Sequence, residues 1–148
     1  MQDDNFLSSC LFFNTNAFSR QLLKLAENAF YHLKLSPSHA SLLLQVYEAP
    51  GISPKELSQK LHLTPSTITR FIDALVKKKL LRRQSKGKTI EIHPTDHSLT
   101  IRGDVAMAYK ELVMAYTEIL GMSDARELSG QIARATDKVA EITTQIKS

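Results

Sequence analysis

The sequence predicts a mainly α-helical chain that carries one small two-stranded antiparallel ribbon. Three observations lead there. Ser/Thr-Pro steps at Ser36-Pro37, Ser53-Pro54 and Thr64-Pro65 each put a hydroxyl at an N-cap and a proline at the first helical position, where its missing N–H costs nothing. Around Ser85-Lys86-Gly87-Lys88 the apolar period changes from helical to two. The last third of the chain shows heptad spacing twice.

Taken in order, residues from about Asn5 to Leu33 form a long helical pattern with two apolar stripes, one through Phe6, Cys10, Phe13 and Ala17, the other through Leu7, Leu11, Phe18, Leu25 and Ala29. A helix that is apolar on two sides is expected to be buried between two partners. The next helix runs from Pro37 to about Tyr47 with Leu42, Leu43 and Val46 inward, and Ala49-Pro50-Gly51 ends it. Ser53-Pro54-Lys55-Glu56 reads as a capping box that opens a short helix to Leu61. A second short helix spans Pro65 to Lys79. Leu81 to Gln84 then opposes Ile90 and Ile92 across a tight turn in which Gly87 supplies positive φ.

Beyond the ribbon, Ile101, Val105, Ala108, Leu112, Ala115 and Ile119 repeat at heptad spacing, as do Leu128, Ile132, Ala135, Val139, Ile142 and Ile146. Gly121 is expected to end the first of these helices and Ser123 to cap the second. Together with the doubly apolar first helix, these seams offer more apolar surface than one small lobe covers. A homodimer is therefore expected, with Phe6, Ile101, Val105, Leu112, Ile119, Leu128, Ile132, Val139, Ile142 and Ile146 in its interface.

At 148 residues and 43% apolar composition the chain is about the size of one domain. Its acidic start and short N-terminal apolar run support neither a signal peptide nor a membrane span, and a single cysteine makes no internal disulfide. A cytoplasmic location with no membrane partner follows as the expectation. No nucleophile elbow, glycine-rich phosphate loop or metal-ligand cluster is present, so an enzyme is not expected, nor is a cofactor or metal. Charge gives the positive lead. Residues 53–92 hold ten Lys/Arg against three acids, a net of +7, which leaves nine basic and twelve acidic residues elsewhere. The positive excess lies in one stretch, and a polyanion is its expected partner.

The spacing within that stretch narrows the partner to double-stranded DNA. Leu57, Leu61, Leu63, Ile68 and Phe71 fall where two short helices joined by a tight turn fill a shared interior, a helix-turn-helix. With Ile68 at the centre of the buried side, Phe71, Ile72 and Leu75 lie within about 60° of it at roughly 100° per residue. Ser66, Arg70, Asp73 and Lys77 then face outward, flanked by Thr67 and Thr69. Short hydroxyl side chains near the helix N-terminus, beginning with the cap Thr64, let a backbone approach base edges in the major groove, and Arg70 supplies a fork for guanine O6 and N7. The basic hairpin follows at once, as a winged helix requires. Lys86 and Lys88 at its tip are placed against the minor groove or backbone, and Lys77, Lys78, Arg82 and Arg83 against phosphates. A winged-helix adaptor that binds protein is the rival reading.

The stretch ISPKELSQKLHLTPSTITRFIDALVKKKLLRRQSKGKTIEIHPT resembles the winged helix-turn-helix of the MarR family, the multiple-antibiotic-resistance type of bacterial regulators. The order of elements is similar across nearly the whole chain. The resemblance implies one MarR-like domain over 1–148, with residues 1–35 and 98–148 as a helical dimerisation region and 36–97 as the winged DNA-binding lobe. It further implies a dimeric regulator, most often a repressor, that responds to a small-molecule effector or to cysteine oxidation. Most members carry an Asp-x-Arg element in a longer wing. Here the wing is the short QSKGKTIEI with lysines only, so electrostatic wing contacts are expected.

Cys10 is similar in placement to the reactive cysteine of the family's organic-hydroperoxide repressors, although Lys24 and Pro37 fall near the places where those proteins carry the tyrosines that bond it. Cys10 is thus either a redox sensor or a small buried hydrophobe among Leu and Phe. Asn14 and Asn16 interrupt an apolar helix and are candidates for lining an effector pocket. His93 and His97 raise a metal question. Pro94 works against the one-turn helical spacing that a His pair exploits, so they are read as surface histidines.

Overall fold

The computed structural model describes residues 6–146. After a 3₁₀ turn at Phe6–Ser9, the elements are α1 (Leu11–Phe30), α2 (Pro37–Glu48), α3 (Pro54–Leu61), α4 (Pro65–Lys77), β1 (Leu81–Lys86), β2 (Thr89–Pro94), α5 (Asp96–Thr100), α6 (Arg102–Leu120) and α7 (Met122–Ile146). The chain falls into two compact units, one up to Glu111 and the other from Leu112.

In the first unit the expected caps form. Ser36 Oγ accepts from His39 N at 3.1 Å, and Thr64 Oγ1 from Thr67 N at 3.3 Å. The Ser53 capping box closes in both directions: Glu56 N donates to Ser53 Oγ at 3.2 Å and Ser53 N to Glu56 Oε2 at 2.9 Å. The Ser53 N–H, followed by its hydroxyl, holds the Glu56 carboxyl below the ordinary carboxylate range. A further cap, Thr95, starts the short α5, which no Ser/Thr-Pro step announces, with Ser98 N donating to Thr95 Oγ1 at 3.0 Å.

α3 and α4 end by the same device, and in each case a residue other than glycine takes the left-handed position. His62 (φ 52°) follows α3, with Leu63 N donating to Ser58 O and His62 N to Gln59 O. Lys79 (φ 59°) follows α4, with Leu80 N donating to Leu75 O and Lys79 N to Val76 O. These pairs are the Schellman pattern, in which glycine is the usual residue at the left-handed site. α4 therefore stops at Lys77, two residues short of the expected Lys79.

The core joins α2, α3, α4 and the base of the hairpin. Leu42, Leu43, Val46, Leu57, Ile68, Leu75 and Ile92 are fully buried, and each buried aliphatic contributes about 1.5–3 kcal/mol over an exposed one. β1 and β2 pair antiparallel from Leu81↔Pro94 to Lys86↔Thr89. The hairpin turn is Gly87-Lys88, with Gly87 at φ 60°, and β1 runs two residues beyond the expected Gln84. Ile52 bridges to Ile92, with Gly51 N donating to Ile92 O at 2.8 Å and Ile92 N to Ile52 O at 3.0 Å, so the base of the hairpin is fastened to the segment before α3.

Two corrections concern α1 and α6. The first long helix begins at Leu11 rather than near Asn5, which lies outside the described residues. Cys10, expected inside this helix, occupies its N-cap in extended conformation (φ −79°, ψ 115°). The Asn14 side-chain amide donates to Ser8 O at 2.8 Å across the junction, which ties the preceding 3₁₀ turn to the first turn of α1. Val105, assigned to the dimer seam, is fully buried within a single chain, as is Ala108. Their apolar faces are used up in the core of the first unit, where Tyr109 meets Phe30 edge-on at 4.8 Å and bonds through its hydroxyl to Ser41.

In the second unit α6 and α7 are joined by Gly121 alone (φ 87°), whose N–H donates to Thr117 O while its carbonyl accepts from Ala125 N. Ser123, expected to cap α7, lies inside the helix as its second residue, because the glycine already makes the whole turn. The unit keeps much of its apolar surface uncovered: Ile119 is 69% exposed, Val139 58% and Ile146 76%, and Leu128, Ile132 and Ile142 are exposed as well.

Candidate nucleic-acid interface

α4 is strongly two-sided. Ile68, Ile72 and Leu75 are buried on one side and Phe71 half-buried, while Ser66, Thr69, Arg70, Asp73 and Lys77 are exposed on the other. The hydroxyls at its start form a bonded chain. Thr64 Oγ1 lies 2.9 Å from Thr67 Oγ1 and 3.2 Å from Ser66 Oγ. Arg70 Nη2 reaches Thr67 Oγ1 at 3.5 Å, a long contact that leaves most of the guanidinium fork for another acceptor. Thr69 Oγ1 donates back to Pro65 O at 3.0 Å. The result is a shallow surface of short side chains and backbone with one exposed arginine beyond it.

The hairpin puts Arg82, Lys86 and Lys88 on exposed positions beside this helix in sequence and topology. Arg82 Nη1 donates to Gln84 Oε1 at 3.0 Å. Lys86 Nζ stands 3.4 Å from Glu91 Oε1, a pair exposed enough to contribute little. Lys88 at the turn has no such partner among the described residues. All three acids of the basic stretch are engaged within the chain: Glu56 in the cap, Asp73 with Arg83, and Glu91 with His93 at 3.0 Å and with Lys86. The hydrogen bond from His93, and then the charge of Lys86, keep the Glu91 carboxyl below its ordinary range.

Two of the side chains expected at phosphates also bond within the chain. Arg83 bonds Asp73, ten residues earlier. Lys78 Nζ donates to Lys34 O at 2.9 Å, fastening the end of α4 to the left-handed residue that follows α1 and its last 3₁₀ turn. Neither bond was visible in the sequence, since both join distant elements through backbone geometry. The same region holds His39, stacked edge-on against Phe71 at 4.7 Å. Burial, and then the charge of Lys78, lower the His39 pKa.

The other candidates are scattered. Cys10 is partly exposed. Asn14 and Asn16 are exposed and spend their amides locally, Asn16 Nδ2 donating to Phe12 O at 2.7 Å. An open cavity of about 670 Å³ lies instead at the turn from α1 to α2, lined by Glu27, Tyr31, His32, Lys34, Leu35, Ser36 and Pro37. Among the described residues no group of three or more His, Cys, Asp or Glu is placed to hold a metal ion, and no helix is long and apolar enough to cross a membrane.

Comparison with known proteins agrees with this geometry. The MarR family model matches residues 35–87. No curated protein matches the chain. Among solved structures, the transcriptional repressor CouR bound to a 23-mer DNA duplex is similar with a TM-score of 0.77 and 21% identity, over 88% of this chain and 94% of that one. A probable transcriptional regulator from Pseudomonas aeruginosa has a TM-score of 0.80 at 17% identity, covering 87% and 98% of the two chains. A cysteine-to-serine mutant of MarR from E. coli, complexed with operator DNA, has a TM-score of 0.77 at 18% identity, covering 84% and 92%. At such identities the likeness is one of fold, and the family match rests on the winged lobe. Residues 35–87 match the MarR family model, and the chain around them shares its fold with these solved transcriptional regulators.

Proposed function

We propose that this protein is a homodimeric, sequence-specific DNA-binding repressor of the cytoplasm. It reads a pseudo-palindromic operator whose half-sites lie about one helical turn apart. The observation that carries this reading is the outward side of α4, where Ser66, Thr69 and Arg70 stand exposed and the basic hairpin follows. In this reading residues 36–97 bind DNA and residues 1–35 and 98–148 dimerise. Arg70 reads a guanine edge, the Thr64–Thr67 hydroxyls and the N-terminus of α4 seat a phosphate, and Lys77, Arg82, Lys86 and Lys88 meet the backbone. The exposed Phe6, Ile119, Leu128, Ile132, Val139, Ile142 and Ile146 side chains, with the half-buried Leu112, supply the dimer interface.

Release by a small molecule completes the reading. CouR is also known bound to p-coumaroyl-CoA, so the fold accommodates such ligands in a relative. In this chain the cavity at residues 27–37 includes Lys34, whose carbonyl accepts from Lys78 at the end of α4. An effector seated there would stand one hydrogen bond from the recognition helix.

Salt dependence separates this function from a protein-binding adaptor. A dimer that neutralises roughly 6 to 10 phosphates gives a log-log slope of affinity on salt of magnitude about 5 to 9. Fluorescence anisotropy with duplex DNA across a salt series is expected to return a slope in that range. A flat response would favour the adaptor.

A further inference from the structure

Asp73 lies on the outward side of α4, one turn beyond Arg70 and one turn before Lys77, where a carboxylate opposes phosphates. Helical spacing offers it both of those cations. Its Oδ1 instead accepts from Nη2 of Arg83 on β1. Arg83 stands on a firm base, because its rung of the hairpin pairs with Ile92, which is fully buried and bonded in both directions to residues 51–52.

The Arg83 and Asp73 side chains are 37% and 60% exposed, and an ion pair that open to water adds little to stability. Stability therefore does not account for an acid on this face. Geometry does. A guanidinium carries five donors in a rigid planar fork, and with Nη2 committed to Asp73 the others remain for a second acceptor. An arginine already held in one orientation loses less side-chain freedom when it meets a phosphate.

This step rests on the DNA-binding reading. We propose that Asp73 is a positioning residue for DNA recognition, fixing the Arg83 guanidinium beside the base-reading side chains of α4 so that it meets a backbone phosphate in register with Arg70.

The test turns on the sign of an effect. Binding of the full chain is measured to two duplexes: the tightest one recovered from a random-sequence selection against the wild type, and a shuffled one of equal length. Asp73→Asn, Arg83→Gln and the double variant are compared, with thermal unfolding run alongside. Charge alone predicts that Asp73→Asn tightens both duplexes. Positioning predicts roughly ten-fold weaker binding to the selected duplex and a few-fold tighter binding to the shuffled one, with the loss absent in the Arg83→Gln background because the two residues act as one unit. Asp73→Glu, which retains the carboxylate, is expected to recover part of the selectivity. Equal gains on both duplexes, or equal losses that persist in the Arg83→Gln background and track a lowered unfolding midpoint, overturn the proposal while leaving DNA binding intact. A wild type with no steep salt dependence overturns the DNA-binding reading and this inference with it.

Discussion

Arg70→Ala is expected to weaken binding to the selected operator by about 1–3 kcal/mol, roughly 5- to 150-fold, and to relax base preference at one position in each half-site. The physical reason lies in what Arg70 does inside the chain, which is little. It is exposed, and among the described residues its side chain makes one hydrogen bond, the 3.5 Å contact with Thr67 Oγ1. Truncation therefore removes a fork that meets base edges without opening a hole in the core, and thermal stability should hold. Binding to random sequence should fall only by the share of one charge. Lys88→Ala is the right contrast, since Lys88 sits at the exposed hairpin turn and should weaken all sequences alike. Lys78 does not serve that purpose, because its ammonium also holds Lys34 O and its loss would loosen the end of α4. Equal losses on operator and random DNA for Arg70→Ala would remove it from base reading.

Ile132→Asp is expected to yield monomers by sedimentation and to abolish tight operator binding. In a single chain Ile132 is 42% exposed, on the same heptad seam as Val139 and Ile142. A carboxylate there costs the monomer little, since it meets water. In a symmetric interface it would bury a charge from each protomer without a partner, at a cost of several kcal/mol. Losing the dimer also loses the second half-site, so affinity falls to that of one lobe. Sedimentation that still reports dimers would show that the seam is assigned wrongly. The equivalent change at Val105 is uninformative, because that side chain lies in the core of the first unit and its loss would unfold the lobe.

Local chemistry is what the sequence made readable. The starts of α2, α3 and α4 follow from Ser36-Pro37, Ser53-Pro54 and Thr64-Pro65, since cap and proline act within four residues of each other. The two sides of α4 follow from helical period alone. The helix ends were harder to read. Lys79 and His62 occupy left-handed positions where glycine would have announced the stop, and in the folded chain the Leu80–Leu75 and Leu63–Ser58 hydrogen bonds sustain them. Gly121 was read as a helix end, yet it makes the whole turn and leaves Ser123 inside α7.

The candidate interface divides in the same way. Which residues of α4 face outward was legible, because that is a property of one helix. Which cations stay free was not. Arg83 and Lys78 are bound to partners ten and forty-four residues away, and those distances close only when β1 packs beside α4 and α4 ends near the turn after α1. Heptad spacing misled at Val105 for a related reason. A period shows that a side chain faces something apolar, without telling whether the apolar surface belongs to the same chain or to a second copy.

The central claim is that the exposed side of α4 enters the major groove, and dimethyl sulfate probing reads this most directly, since guanine N7 lies on the major-groove edge. With wild-type protein bound, a guanine in each half-site, the pair about one helical turn apart, is expected to be protected from methylation, and Arg70→Ala is expected to lose that protection while the complex still forms at higher protein concentration. Bound DNA with every guanine N7 as reactive as in the free duplex would contradict the claim.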